Sequence, residues 1–345
     1  MFAYIVRRLL ILPLIIFCVT LLAFSMIWSL GPDVLFMSYV TNPRVLNIVP
    51  ETKERLIRKY GLDDPLPVAY FKWLKNLAKG DWGYSFSTRD FIYNAIMERL
   101  PKTLELVLFS IVFIIMLGIT IGTAAAKRYG TLSDDLINGF SIVGWSIPEF
   151  IMGLIIFVVV LNLFGWFPKG TVSPESYYIL KSPEWKTYTN SVLIDSIINL
   201  KPKVFLDALL NLLEPVLTLV VMWGAYVVRM TRASIIEVMH FDYIRTARSK
   251  GLKESTVLKK HARRNALIPV TTVSGNVLVQ LIGGVVVVEA LFNRPGIGNM
   301  MAKAGRLLDH ITVVSCAFVL CIFVVIINII VDITYSYFDP RVRLY

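Results

Sequence analysis

Six apolar stretches alternate with polar segments along the chain, and their lengths set the fold class. They are Leu9–Leu30, Leu104–Ala126, Leu136–Phe164, Leu209–Val228, Leu267–Val288 and Ile311–Tyr335. A hydrocarbon core of about 30 Å is crossed by about 20 helical residues, so each stretch predicts one span. The pattern predicts an all-α polytopic membrane protein with six transmembrane helices. Arg7 and Arg8 followed by the first run imitate a secretory signal. That run is too long for a signal core, and Pro32 follows the weak small-residue site Ser29-Leu30-Gly31. It reads as an uncleaved span with its N-terminus in the cytosol.

The polar segments differ in kind. Residues 31–102 carry Pro43, Pro50, Pro65, Pro67 and mixed charges. Helical spacing recurs at 51–60 and 69–79, and Gly80–Phe86 (GDWGYSF) reads as a glycine-punctuated turn. Together they predict a small external domain. Residues 165–205 are polar and aromatic and read as an external loop with a short surface or re-entrant helix at 188–199. Residues 289–309 are a short external excursion. The chain divides into 1–102, the first span plus external domain, and 103–345, a five-helix core with a loop at 229–265.

Two features lie inside the runs. Pro101 before Thr103 is a helix-start signal for the second span. Gly118 and Gly122 form a GxxxG there, which reads as close helix packing rather than a dimerisation motif. Trp145-Ser146-Ile147-Pro148-Glu149 interrupts the third run, because proline removes a backbone hydrogen bond and kinks or breaks a helix. Glu149 falls near mid-membrane and reads as the only strong mid-span acid. It either lines a substrate path or is paired or protonated at a bundle seam. Trp145, Ser146, Pro148 and Glu149, with Gln280, Gly283 and Gly284 of the fifth run, are the candidate path residues.

Composition agrees with the pattern: 56% of the 345 residues are hydrophobic and only 17% are charged. The net charge of +11 is concentrated rather than spread. Residues 229–265 hold ten Lys/Arg against three acids, whereas 289–309 hold three against two. Excess Lys and Arg mark cytosolic loops, so the charge reports orientation and not nucleic-acid binding. It places the 229–265 loop and both termini in the cytosol. Cys18, Cys316 and Cys321 all fall in apolar runs, and His240, His261 and His310 are scattered. Neither set makes a disulfide framework or a metal site.

Within the basic loop, helical spacing runs from Ala233 to Ser249, breaks at Gly251 and resumes from Lys253 to Asn265. Gly251 suits a left-handed helix end. The result is a two-helix knuckle with Leu252 and Val257 as an apolar tip ringed by charge. Such a tip fits a socket on another protein; the alternative is an amphipathic hairpin on anionic headgroups.

Arg245-Thr246-Ala247, then Gly251, followed by HARRNALIPV, resembles the loop of binding-protein-dependent ABC importer permeases. Arg245 and Thr246 stand where the family's general pattern has Glu and Ala, and Pro269 lies further downstream, departures similar to the peptide/nickel branch. RKYGLDDPLPVAYFKWL (58–74), GDWGYSF (80–86), RLPKTLEL (99–106), FNRPGIG (292–298) and DPRVRLY (339–345) resemble that branch independently. The resemblance implies the first of two permease subunits of a dipeptide/oligopeptide-type importer. It implies as partners a second permease subunit, two ATPase subunits and an external binding protein, besides the lipid bilayer. Arg245, Thr246, Ala247, Arg248, Lys250, Gly251, Leu252, Lys253, Glu254, His261 and Arg264 would then dock the ATPase. No GxxxxGK followed by Ser or Thr occurs, so ATP and Mg would bind the partner ATPases and no cofactor this chain. Cargo stays open between peptides, oligosaccharides and nickel. A self-sufficient secondary transporter or a membrane scaffold are the competing classes.

Overall fold

The computed structural model describes residues 2–37, 50–167 and 170–338. DPRVRLY at 339–345, with the C-terminus, and Pro43 lie outside the described residues. Fifteen α-helices dominate the described residues, as lipid requires of a chain that must satisfy its own backbone polar groups. Two compact units are present. One comprises Phe2–Thr103 with Pro295–Ile326, the other Leu104–Arg294 with the residues from Ile327 onward. The residues of the 289–309 excursion are thus shared between them.

In the first unit, α1 (Phe2–Trp28) is followed by α2 (Pro32–Met37), α3 (Pro50–Tyr60) and α4 (Leu66–Ala78). The expected helices at 51–60 and 69–79 are therefore present. The GDWGYSF turn opens a small hairpin, so the unit is not purely helical. Its strands β1 (Tyr84–Ser85) and β2 (Asp90–Phe91) pair antiparallel, Tyr84 opposite Phe91. Asp309 holds the hairpin, its Oδ2 accepting from Ser85 Oγ at 2.9 Å and Ser87 N–H at 3.0 Å. α14 (Ile297–Arg306) and the start of α15 (His310–Phe338) complete the unit. Ile92, Ala95 and Ile96 of α5 pack there on Ile297, Met300, Cys316 and Val319.

That packing corrects the reading of Pro101. α5 runs from Ile92 to Lys127, and Pro101 lies inside it. Proline withholds one hydrogen bond, and the buried face at Ile92–Ile96 carries the helix through it.

The second unit is built around α10 (Pro202–Val238). α6 (Leu132–Ser146), α7 (Glu149–Phe164) and α13 (Arg263–Leu291) pack on it, and the short α8 (Pro174–Leu180) and α9 (Val192–Ile198) fold over one end. Helix carboxylates tie the loops: Asp207 accepts from Ser173 N–H and Oγ at 2.7 and 2.8 Å, and Asp195 from Thr189 N–H and Oγ1 at 2.9 Å each. The buried pair Arg294–Glu105 (2.6 Å), with Ser191 Oγ donating to Glu105, anchors the same end.

Among the described residues, five helices are long and apolar enough to cross a membrane, and α6 with α7 make a sixth only as one broken span. The third run is not a kinked helix: its halves meet at 114° across Ile147-Pro148. The GxxxG reading is borne out. A Cβ on Gly118 would lie 2.5 Å from Val227 Cγ1, and one on Gly122 would lie 2.6 Å from the Val228 carbonyl oxygen. The motif lets α5 approach α10 within this chain.

A backbone oxygen cannot move aside, so Gly122→Val costs at least the roughly 1–3 kcal/mol typical of overpacking. Gly139, where a Cβ meets nothing within 4 Å, is the control. Thermal unfolding in detergent is expected to fall clearly for Gly122→Val and little for Gly139→Val.

Candidate functional site

The basic loop is a small folded body with its own core. α10 ends at Val238, and Met239, His240 and Phe241 turn the chain into α11 (Asp242–Ser249). The expected continuous helix from Ala233 to Ser249 is therefore broken at 239–241. Gly251 takes φ +73°, as its place at the end of α11 requires. α12 (Glu254–Thr256) then leads through a π-helical stretch, Val257–Ala262, into α13. π-helical turns are rare and cluster at functional sites.

Under the turn, Ile235 and Val238 of α10 meet Ile244, Ala247, Val257, Leu258, Ala262 and Ala266. This corrects two expectations. Val257 is fully buried, so the apolar tip is Leu252 alone, 39% exposed. Ala247 faces the core and supports the surface rather than forming it. Arg245, Thr246, Arg248, Lys250, Gly251, Lys253 and Glu254 are exposed around Leu252. Arg248 grips Glu254 through Nε at 3.1 Å and Nη2 at 2.7 Å, and that bond raises the Arg248 pKa. His261 is half-buried on the π-helical stretch. Arg264 stands apart from the tip, in the lining of an apolar cavity of about 790 Å³. Ile111, Ile115, Ile119, Thr271 and Leu278 share that lining.

Two ties fix the loop's base. Ser234 Oγ donates to the Ala266 carbonyl at 2.8 Å, joining α10 to α13. Arg232 of α10 holds Asp134 of α6 through Nε at 2.5 Å and Nη2 at 2.7 Å, with the Asp134 side chain 1% exposed. Sequence reasoning passed over this pair, because nothing in the spacing relates residues 98 apart.

The candidate path residues fall into two groups. Trp145, Ser146, Pro148 and Glu149 line one shallow hollow at the α6–α7 break. Trp145 stacks on Tyr226, ring centroids 4.5 Å apart, and meets Trp223 edge-on at 5.1 Å. Trp223 Nε1 donates to Glu149 Oε1 at 3.1 Å. Gly284 lies against that carboxylate, since a Cβ there would sit 2.4 Å from Oε1. Gln280 and Gly283 are exposed on a different face of α13. That face is a stripe: Asn265, Pro269, Thr272, Asn276, Gln280, Gly283 and Val287 are all exposed at three- and four-residue intervals. The polar members Thr272 and Asn276 were missed, although their helical spacing inside an apolar run was visible. A second acid falls inside a run: Glu214 of α10, five residues from the start of 209–228, is fully buried, and neither carboxylate oxygen has a hydrogen bond.

Comparison with known proteins agrees along the whole length. Residues 118–344 match the family described as "Binding-protein-dependent transport system inner membrane component". Residues 1–107 match "Binding-prot-dependent transport system membrane comp, N-term". The chain is 35% identical over 344 residues to the oligopeptide transport system permease protein AppB of Bacillus subtilis (strain 168), covering 99% of this chain and 100% of that one. It is 34% identical over 343 residues to the di/tripeptide transport system permease protein DppB of Pseudomonas aeruginosa (strain UCBPP-PA14), covering 99% of each. A solved structure of the MetNI methionine ABC transporter, in inward-facing conformations, matches with a TM-score of 0.46 and 16% identity, over 71% of this chain and 96% of that one.

Removing one partner of a buried ion pair typically costs about 3–5 kcal/mol, because the other charge is left uncompensated. Asp134→Ala is therefore expected to lower the thermal midpoint strongly. Asp134→Leu combined with Arg232→Met should recover much of the loss in the same assay.

Proposed function

The chain belongs to the binding-protein-dependent transport system inner membrane component family, and on that premise we propose that it is half of a peptide translocation path coupled to separate ATPase subunits. It is a permease of the ABC importer type, a multi-pass protein of the prokaryotic inner membrane. The observation that carries the coupling reading is the knuckle. Leu252 stands out from a charged surface, yet the turn beneath it is packed into the ends of α10 and α13. A partner that moves the tip therefore moves two spans as rigid rods, which is how one packed element shifts another. Nucleotide binding and hydrolysis belong to the partner subunits, and their closed and open states would bias the two permease conformations.

The charge excess of 229–265 supports a cytosolic knuckle, with both chain termini on the same side. The 31–102 segment and the 165–205 loop then lie on the external side, where a binding protein delivers cargo. Across a twofold-like seam with a second permease subunit, the exposed polar stripe of α13 from Asn265 to Gly283 would line the path. Its hydroxyl and amide groups suit the backbone of a peptide, which needs neutral donors and acceptors rather than fixed charges. The names of the similar permeases support peptide as the cargo. Glu149, held by Trp223 and pressed on Gly284, sits at the bend between α6 and α7 and is assigned to keeping that bend in place.

Two experiments test this. Leu252 is half-exposed, so Leu252→Asp should leave insertion and assembly of the permease intact. Truncating or charging a central interface anchor commonly costs about 2–4 kcal/mol of binding, so ATPase stimulation in the assembled complex should fall by more than tenfold. Gly251→Pro, which cannot adopt φ +73°, should do the same. Wild-type ATP-coupled uptake in both variants would refute the docking assignment. In Gly284→Ala the new methyl must displace the Glu149 carboxyl group, losing its hydrogen bond from Trp223, about 0.5–1.5 kcal/mol. Peptide uptake in vesicles should drop several-fold while the ATPase still co-purifies.

A further inference from the structure

The helix α4 lies within the segment read as an external domain, yet its contacts place it at the depth of lipid. The apolar part of α1, Leu10–Trp28, is 19 residues, about 28 Å of helix and so close to the thickness of a hydrocarbon core. Trp28 therefore marks one boundary of that core. The ring of His310, at the start of α15, stands 6.0 Å from the Trp28 ring and marks the same level.

The buried face of α4 reaches well below that level. Tyr70 OH is 2.8 Å from Thr20 Oγ1, and the Tyr70 ring lies between Phe17 and Phe24 at 5.6 and 5.5 Å. Thr20 is eight residues from Trp28, about 12 Å along the helix. Trp73 contacts Phe318, eight residues into α15, by the same measure about 12 Å deep. The opposite face returns to the boundary. Lys72 Nζ bonds Asp64 Oδ2 at 2.6 Å, and the Asp64 carbonyl accepts from Trp28 Nε1 at 3.1 Å. An apolar face sunk in the core with lysines reaching back to the edge is the arrangement of an in-plane amphipathic helix.

The apolar arc of α4 is wider than α1 and α15 cover. Ala69, Tyr70, Trp73 and Leu77 are buried against them. Phe71 and Val68 remain 57% and 44% exposed, and with Pro67, Lys72 and Lys75 they line a shallow hollow of about 380 Å³. In water, Phe71 and Val68 would be an uncompensated apolar patch. They lie on the flank of α4 that carries Lys72 and Lys75, near the level of Trp28, where they would meet the outer part of the acyl chains instead.

We propose that α4 is embedded in the leaflet at the Trp28 end of α1, and that Val68, Phe71, Lys72 and Lys75 form a binding surface for an anionic phospholipid. The acyl chain lies on Phe71 and Val68, and Lys75 with Lys72 takes the phosphate. The inference rests on the membrane placement of α1 and is independent of the coupling and cargo readings. It narrows the surface that 31–102 presents to a binding protein to α2, α3 and the β1–β2 hairpin.

Spin labels test it in the assembled complex in vesicles, on a chain with Cys18, Cys316 and Cys321 replaced. Phe71→Cys and, separately, Val68→Cys carry the label; both sites are exposed, so packing is spared. Leu14→Cys on the exposed flank of α1 is the lipid reference, and Glu184→Cys in the 165–205 loop is the water reference. The proposal expects collision with oxygen over collision with a water-soluble nickel chelate to match Leu14 at both α4 sites. A ratio like that of Glu184 would overturn it, and so would shielding from both reagents, which would mean that a protein covers the face. Near an anionic surface each lysine is worth a factor of about five in affinity. Lys75→Gln should therefore weaken binding of spin-labelled phosphatidylglycerol by that factor and leave phosphatidylcholine unchanged. Equal binding of the two lipids by the unmodified chain would overturn the headgroup assignment.

Discussion

The close approach of neighbouring helices to α10 is the constraint on which the larger unit depends. α10 has 37 residues, about 55 Å of helix, and small residues on its partners make room for it. Gly118 and Gly122 of α5 meet Val227, Val228 and Thr231, and Gly144 of α6 meets Ala225; Gly153 of α7 touches Thr218 and makes room chiefly for Leu291 of α13. In lipid there is no hydrophobic drive between helices, so association comes from such van der Waals contact and from a few polar ties. Here the ties are Arg232–Asp134 and Ser234–Ala266, both near the end that carries the basic loop. The loop's core closes on Ile235 and Val238 at that same end of α10, so rod and knuckle form one mechanical piece.

The break at Ile147-Pro148 works within that frame. Proline ends one hydrogen-bonded ladder, and α7 starts a new one at 114° to α6. Broken backbone at membrane depth needs polar partners. At this break the side chain of Glu149 accepts from Trp223 Nε1, and Trp145 packs its ring on Tyr226 and Trp223 beside it. Gly284 is small because the carboxylate occupies the space a side chain would need. The bend is thus set by three elements at once.

The smaller unit shows how far a polar-looking segment can belong to the bilayer. Its prolines, glycines and lysines argue for water, and much of it is short helix and hairpin. Yet aromatic contacts from Tyr70, Trp73 and Trp82 run down α1 and α15 for two turns. Lysines on one face of α4 do not contradict that depth, since four-carbon stems reach the boundary from below it.

Much was legible in the residues alone. Run lengths near 20 determined the spans, because the thickness of the hydrocarbon core admits little else. The Lys/Arg excess of 229–265 and the glycine at 251 located the loop and its turn, since charge asymmetry and a left-handed φ are local demands. The family resemblance rested on short motifs such as RTA-x3-G and FNRPGIG, and similarity over the full length bears it out. What only the tertiary structure decided involves distant partners. It buried Val257 and Ala247, set Asp134 on Arg232, carried α5 through Pro101 and drew Gly284 onto Glu149. Each of these is settled by which neighbour fills the space around a side chain. A one-dimensional pattern records period and composition, and it cannot record that neighbour.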